Sequence, residues 1–211
     1  MKCLELFSGT HSVGKILKEL GNEVISLDLK NADINTNILD WDYKVYPPNH
    51  FDYIHASPPC DTFSICRKCW IGRKIKAHPD KVLTMEDIIN DQLTIGLPIL
   101  NKTLEIIDYF KPKYYTLENP QTGDMKKYIK DREYTDVDYC RYGLPYKKRT
   151  RIWNNFNFKG IKCNKECGFI KDGKHISNCG HNNNVPNFQN TSLEERYRIP
   201  AGLIKSWIEV M

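Results

Sequence analysis

The stretch Ala56-Ser57-Pro58-Pro59-Cys60-Asp61-Thr62-Phe63-Ser64 is placed to do covalent chemistry. The apolar run Phe51-Asp52-Tyr53-Ile54-His55-Ala56 predicts a short buried strand, and two prolines end it because neither can donate to a ladder. Cys60 then sits just beyond a strand end, where open α/β sheets bind their ligands. A thiol on a stiff Pro-Pro turn there is a candidate nucleophile. The same thiol would also serve as a small apolar filler, since free cysteine is among the most buried residue types. A second short strand, Tyr114-Tyr115-Thr116-Leu117-Glu118-Asn119-Pro120, brings a carboxylate to a rigid turn on what should be the same sheet edge. In Arg149-Thr150-Arg151-Ile152-Trp153 strand alternation sends two guanidiniums to one face, where they need anions or carbonyl acceptors. Further on, Cys163-x3-Cys167-x7-His175-x3-Cys179-x-His181 offers five potential ligands within 19 residues. A four-ligand zinc site on Cys163, Cys167, His175 and Cys179 would staple that polar segment; scattered thiols and imidazoles in a loop are the other reading.

Several elements must position these groups. Lys2-Cys3-Leu4-Glu5-Leu6-Phe7 is an apolar strand running into Ser8-Gly9-Thr10-His11-Ser12-Val13-Gly14 and then a helix marked by Ile16, Leu17 and Leu20. Strand, glycine loop and helix open a nucleotide-binding βαβ unit, with free N–H groups at the helix start. Gly21-Asn22 should cap that helix. The next strand, Glu23 to Asp28, ends on an acid about 20 residues after the loop, where ribose hydroxyls are commonly held. Ile34, Ile38, Leu39 and Trp41 suit a short third strand with Asn37-Ile38 near its end. From Cys66 to Lys81 six basic residues stand against one acid without helical or strand period, which predicts a long loop suited to phosphates. From Thr84 to Phe110 the apolar period is helical, with Thr84 and Asp87 forming a capping box and Pro98 kinking or dividing the helix. A last helix after Pro200 puts Leu203, Ile204, Trp207 and Ile208 on one face, to dock on the sheet.

With 211 residues, 40% hydrophobic and 27% charged, the chain suits one core and a minor appendage. No apolar run approaches the roughly 20 residues that span a bilayer, and the start enters a strand rather than a signal peptide. A soluble, intracellular protein is expected, with eight cysteines that serve as thiols or metal ligands rather than disulfides. A net charge of +5 does not by itself imply nucleic acid.

Phe7-Ser8-Gly9 with Gly14, Ser57-Pro58-Pro59-Cys60 with Phe63-Ser64, Glu118-Asn119-Pro120, and Tyr142-Gly143-Leu144-Pro145 followed by Arg149-x-Arg151 occur in that order. In type, order and separation they resemble the motif series of the cytosine carbon-5 DNA methyltransferase family, over about 70% of the chain. The resemblance implies a Rossmann-like, doubly wound, mostly parallel seven-stranded sheet of the class I S-adenosylmethionine-dependent methyltransferase type, with an antiparallel strand near its C-terminal edge. It also implies S-adenosylmethionine as cofactor and a cytosine flipped from its stack. Cys60 would add to carbon 6, Glu118 would hydrogen-bond N3 and the amine, and Arg149 and Arg151 would hold the base carbonyl. Phe7, Ser8, Gly9, Thr10, Asp28, Leu29, Asn37, Ile38 and Pro59 would bind the cofactor.

Departures from the family pattern are equally specific. His11 replaces the usual small residue or glycine, Asn37 stands where an Asp is usual, and Tyr146-Lys147-Lys148 replaces the Gln before the arginines. No room is left for a large target-recognition domain, so the chain more closely resembles short methyltransferase-like proteins of phages and large DNA viruses. The resemblance implies action in the cytoplasm or nucleus of a host or virus-infected cell. Sequence specificity should then be low, supplied by a specificity partner protein, or drawn from the Cys66 to Lys81 loop. Residues 1–158 are expected to form the catalytic domain, and 159–211 a Cys/His-containing loop and a helix packed on it. An active DNA (cytosine-5-)-methyltransferase is one hypothesis. A non-catalytic binder of nucleic acid or cofactor is the alternative, and RNA is an alternative substrate.

Overall fold

The computed structural model describes residues 1–75, 78–176 and 193–211. Seven strands form the central sheet: β1 (Lys2–Leu6), β2 (Glu23–Asp28), β3 (Ile34–Asn35), β4 (Tyr53–Ala56), β7 (Tyr114–Pro120), β8 (Tyr134–Asp138) and β9 (Arg149–Asn154), in the order β3-β2-β1-β4-β7-β9-β8. A separate hairpin pairs β5 (Lys74–Ile75) with β6 (His78–Val82). From β3 across to β7 all neighbours are parallel, whereas β9 runs antiparallel to both β7 and β8. The chain builds outward from β1 in one direction and then from β4 in the other. The crevice therefore opens beyond the carboxyl ends of β1 and β4, which deliver residues 7–11 and 57–61 to it.

Strand alternation divides the core in two. Leu4, Leu6, Ile54, Ala56 and Leu117 face α3 (Leu97–Phe110), which packs Leu100, Ile106, Ile107 and Phe110 against them. On the other face Cys3, Tyr53 and Val24 meet Val13 and Leu17 of α1 (Ser12–Glu19) and Leu203, Ile204 and Trp207 of α5 (Ala201–Ile208). Gly21 closes α1 at φ 77°, with its N–H on the Lys18 carbonyl and that of Asn22 on the Leu17 carbonyl. That is a Schellman cap, as the Gly-Asn pair predicts.

Three elements depart in whole or in part from the sequence expectation. The third strand stops at Asn35, because Asn37 folds back to accept from Leu39 N–H at 3.0 Å and the Asp40 N–H closes a turn on its carbonyl. The predicted helix is divided in two as expected, into α2 (Met85–Asp91) and α3, but the division is a π turn at Gln92–Gly96 that precedes Pro98; Thr84 and Asp87 do form the capping box. Pro98 enters in the first turn of α3, directly after the π turn. The basic stretch after Cys66 is a 3-10 turn (Ile65–Trp70) followed by the β5–β6 hairpin, not an irregular loop. Three of its cations are already paired: Arg67 with Asp91, Lys68 with Asp124 and Lys81 with Asp87. No helix among the described residues is long and apolar enough to cross a membrane.

His55 sits under the crevice without facing solvent. Its ring stacks on Trp207, and its two nitrogens meet Thr116 Oγ1 at 2.8 Å and Ser57 Oγ at 3.0 Å. Burial pushes its pKa down to about 3, so the folded chain keeps it neutral where the unfolded chain takes up a proton. This contribution is complete above pH about 6.5 and is lost as pH falls below it, with a limiting slope of about 1.4 kcal/mol per pH unit. Urea unfolding of wild type and His55→Asn should show the variant's acid sensitivity reduced between pH 6.5 and 4. Parallel curves would contradict the assignment.

Candidate active site

The first wall of the crevice is the turn after β1. Phe7, Gly9 and His11 adopt φ of 60°, 46° and 55°, a left-handed path that only glycine takes without strain. His11 thus occupies a glycine-type conformation, and its Nε2 sits 2.6 Å from the Asn31 carbonyl. Gly9 N–H donates to Asp28 Oδ2 at 2.9 Å, which ties the loop to the end of β2. Beneath it Glu5 Oε1 accepts from Val13 N–H at 3.1 Å, and burial raises the Glu5 carboxyl above its ordinary range. A Cβ at Gly14 would lie 2.4 Å from Glu5 Oε2, so a larger residue there must displace that carboxylate.

The second wall is the Pro-Pro-Cys turn after β4. Asn119 Nδ2 donates to the Pro58 carbonyl at 2.9 Å, Phe63 N–H to the Cys60 carbonyl at 3.1 Å, and Asp124 N–H to the Phe63 carbonyl at 2.8 Å. Cys60 is thereby held by bonds on both sides. Glu118, buried at the end of β7, accepts from the Tyr139 hydroxyl at 2.8 Å and has Lys148 Nζ at 3.9 Å.

Two clefts meet at Cys60. The larger, about 1080 Å³, runs from Phe7, Ser8 and Asp28 to Cys60 and Glu118; the smaller, about 410 Å³, holds Cys60 with Gln121, Lys148 and Arg149. Cys60, Asn119 and Lys148 line both. Burial, then the nearby Glu118 and Asp61 carboxylates, push the Cys60 thiol up to about 11, while Lys148 pulls it down. At neutral pH only about one molecule in 10⁴ carries the thiolate before substrate arrives. Alkylation of Cys60 by iodoacetamide, followed by peptide mass spectrometry, should accelerate about tenfold per pH unit from 7 to 10. A plateau below pH 9 would contradict this.

The expected base-holding pair is split. Arg149 chelates Asp138 at 3.0 and 3.1 Å at the rim of the smaller cleft. Arg151 chelates Asp136 at 2.8 and 3.2 Å, lies over the Tyr134 ring, and lines neither cleft. Of the expected cofactor residues, Phe7, Ser8, Gly9, Thr10, Asp28 and Pro59 line the larger cleft. Leu29, Asn37 and Ile38 do not: Leu29 is exposed, Asn37 is turned onto Leu39, and Ile38 is buried in the core.

A protein of Frog virus 3 (isolate Goorha), described as "Probable DNA (cytosine-5)-methyltransferase", is 37% identical over 201 residues, covering 94% of this chain and 84% of that protein. The chain belongs to the cytosine carbon-5 DNA methyltransferase family. No family model matches it. The fold agrees with the methyltransferase EhMeth of Entamoeba histolytica, at a TM-score of 0.51 and 14% identity over 75% of this chain and 55% of that one. DNMT2 of Spodoptera frugiperda aligns at a TM-score of 0.45 with 17% identity, over 82% and 56%. The chain therefore spans little more than half the length of these solved structures.

S-adenosylmethionine is the usual cofactor of this methyltransferase family, and the larger cleft fits such a group. It is of cofactor size, and the buried Ser8 Oγ in its wall has no hydrogen-bond partner within the protein. Sequence reasoning missed Lys148, Tyr139 and Asp138. Lys148 stands in the segment that replaces the family's Gln, so that departure was itself the available signal. The wall formed by Glu194, Arg196 and Tyr197 carried no such signal, because only the tertiary fold returns it to the cleft.

Proposed function

We propose that this chain methylates carbon 5 of cytosine in DNA through a covalent adduct on Cys60. The observation that carries the reading is the place of Cys60, shared by both clefts, with Glu118 lining the larger. Phe7 to Thr10, Asp28 and Pro59, which line the larger cleft, would hold S-adenosylmethionine, and the cofactor would supply an electrophilic methyl group there. Carbon 5 of cytosine is too weak a nucleophile on its own, so the Cys60 thiolate adds to carbon 6 and turns the ring into an enamine. Glu118 holds a proton toward N3 and accepts from the exocyclic amine, offsetting the negative charge that the addition places in the ring. Lys148, close to Glu118 and in both clefts, stabilises the thiolate that burial disfavours. Arg149 faces the base or its phosphate from the smaller cleft. Loss of the carbon-5 proton then expels the thiolate.

On this reading residues 1–158 carry the chemistry, and Glu194, Arg196, Tyr197 and Ile199 complete the wall of the larger cleft. Trp70, exposed with the Arg73 guanidinium over its ring, offers an aromatic and a cation to nucleic acid. Incubation with tritiated S-adenosylmethionine and unmethylated DNA or RNA, followed by nucleoside analysis, tests the proposal. Label in 5-methylcytosine from DNA is expected. Label confined to RNA, or on neither polymer, would contradict it.

A further inference from the structure

Beyond the crevice, the segment from 159 to 176 has no buried residue of its own, yet it follows a defined path. Cys163 and Cys167 flank a tight bend that passes through Lys165 at φ 74° and leads into Gly168 at φ 80°. The Lys165 N–H points at Cys163 Sγ at 3.3 Å, as amides do toward a thiolate. A two-residue Asp172-Gly173 turn, both at positive φ, joins β10 (Ile170–Lys171) to β11 (Lys174–His175) and returns His175 to the bend. The fourth group comes from elsewhere: Cys140, buried in the 3-10 turn that follows β8. The ligand atoms of Cys140, Cys163, Cys167 and His175 all lie within 4.8 Å of one another.

Two thiols reach one nitrogen in this cluster. His175 Nε2 is 3.4 Å from Cys163 Sγ and 3.5 Å from Cys167 Sγ. One imidazole nitrogen has a single proton or a single lone pair, so hydrogen bonding satisfies only one of those contacts. A central cation satisfies both. With Zn–S near 2.3 Å and Zn–N near 2.05 Å, a tetrahedron has S···N edges of about 3.6 Å, close to those seen. All four groups are soft or borderline donors, and their number leaves no open position, which marks a structural rather than a catalytic site.

We propose that Cys140, Cys163, Cys167 and His175 bind one zinc ion that staples the 159–176 segment to the end of β8. The sequence pattern had offered Cys179 as fourth ligand; Cys179 and His181 lie outside the described residues. With Cys140 as ligand, the ion ties the appendage to the catalytic sheet instead of closing a local loop. It also fixes the Cys163 N–H, which donates at 2.8 Å to Asp138 Oδ2, and Asp138 in turn chelates Arg149. Zinc thereby bears on the rim of the smaller cleft without touching it.

Elemental analysis of the full chain, purified under reducing conditions, should find close to one zinc per molecule. Cys140→Ser and His175→Ala should lose it, while Cys179→Ser keeps it. Replacing zinc by cobalt in the wild-type chain reads the ligand set even where a variant fails to fold, and should give the visible bands of a tetrahedral site with thiolate charge transfer. Absence of metal both as purified and after zinc addition, iron in its place, or loss of the ion in Cys179→Ser would overturn the assignment. None of these readings depends on methyl transfer.

Discussion

Cys60→Ala should lower methyl transfer by roughly 10⁴-fold or more, because among the described residues Cys60 is the one thiol that lines both clefts, whereas Cys66 lines the smaller cleft alone. The loop itself should survive the change. Its path is set by the Asn119 bond to the Pro58 carbonyl and by backbone bonds at Cys60 and Phe63, none of which uses the sulfur. Thermal melts should therefore match the wild type within a few degrees, and binding of S-adenosylmethionine, whose cleft only ends at Cys60, should persist. Retention of more than a few per cent of the activity would rule out the thiol as nucleophile.

Glu118→Gln carries the second large effect, and its value lies in moving two readouts in opposite directions. The amide keeps the shape and still accepts from the Tyr139 hydroxyl, but it cannot hold a proton for N3. Methyl transfer should fall by about 10²- to 10⁴-fold. Glu118 is also the largest carboxylate influence raising the Cys60 thiol. Its neutralisation should therefore make Cys60 alkylate faster at any given pH below 10. If both rates fell together, the substitution would have disturbed the loop and the assignment of Glu118 as proton donor would fail.

How far the sequence reached depended on the range of the interactions involved. The strand that carries Cys60, the glycine turn, the Gly21 cap and the Thr84–Asp87 box were legible because each is set by residues within a few positions. The sheet followed from strand period together with the family resemblance. Misread elements were those decided by long-range or side-chain choices. Ile34 to Trp41 has the apolar content of a strand, but Asn37 accepts a backbone bond that turns the chain. The basic stretch after Cys66 was expected to face phosphates, whereas acids on α2 and at Asp124 neutralise much of it. Alternation does put Arg149 and Arg151 on one face, yet their partners Asp138 and Asp136 come from β8 and leave only Arg149 at a cleft. Cys140 could not be read as a ligand at all, since it lies 23 residues before Cys163, buried in the turn that follows β8.

The most direct test of the account is a trap for the covalent step. Fluorine at carbon 5 cannot leave as a cation after methyl transfer, so 5-fluorocytosine DNA should hold Cys60 in a complex that survives denaturing electrophoresis. A shifted band is expected that needs S-adenosylmethionine, maps to the Cys60 peptide by mass spectrometry and vanishes in Cys60→Ala. Methylated product from ordinary DNA with no trapped complex, or a trapped complex on another cysteine, would contradict it.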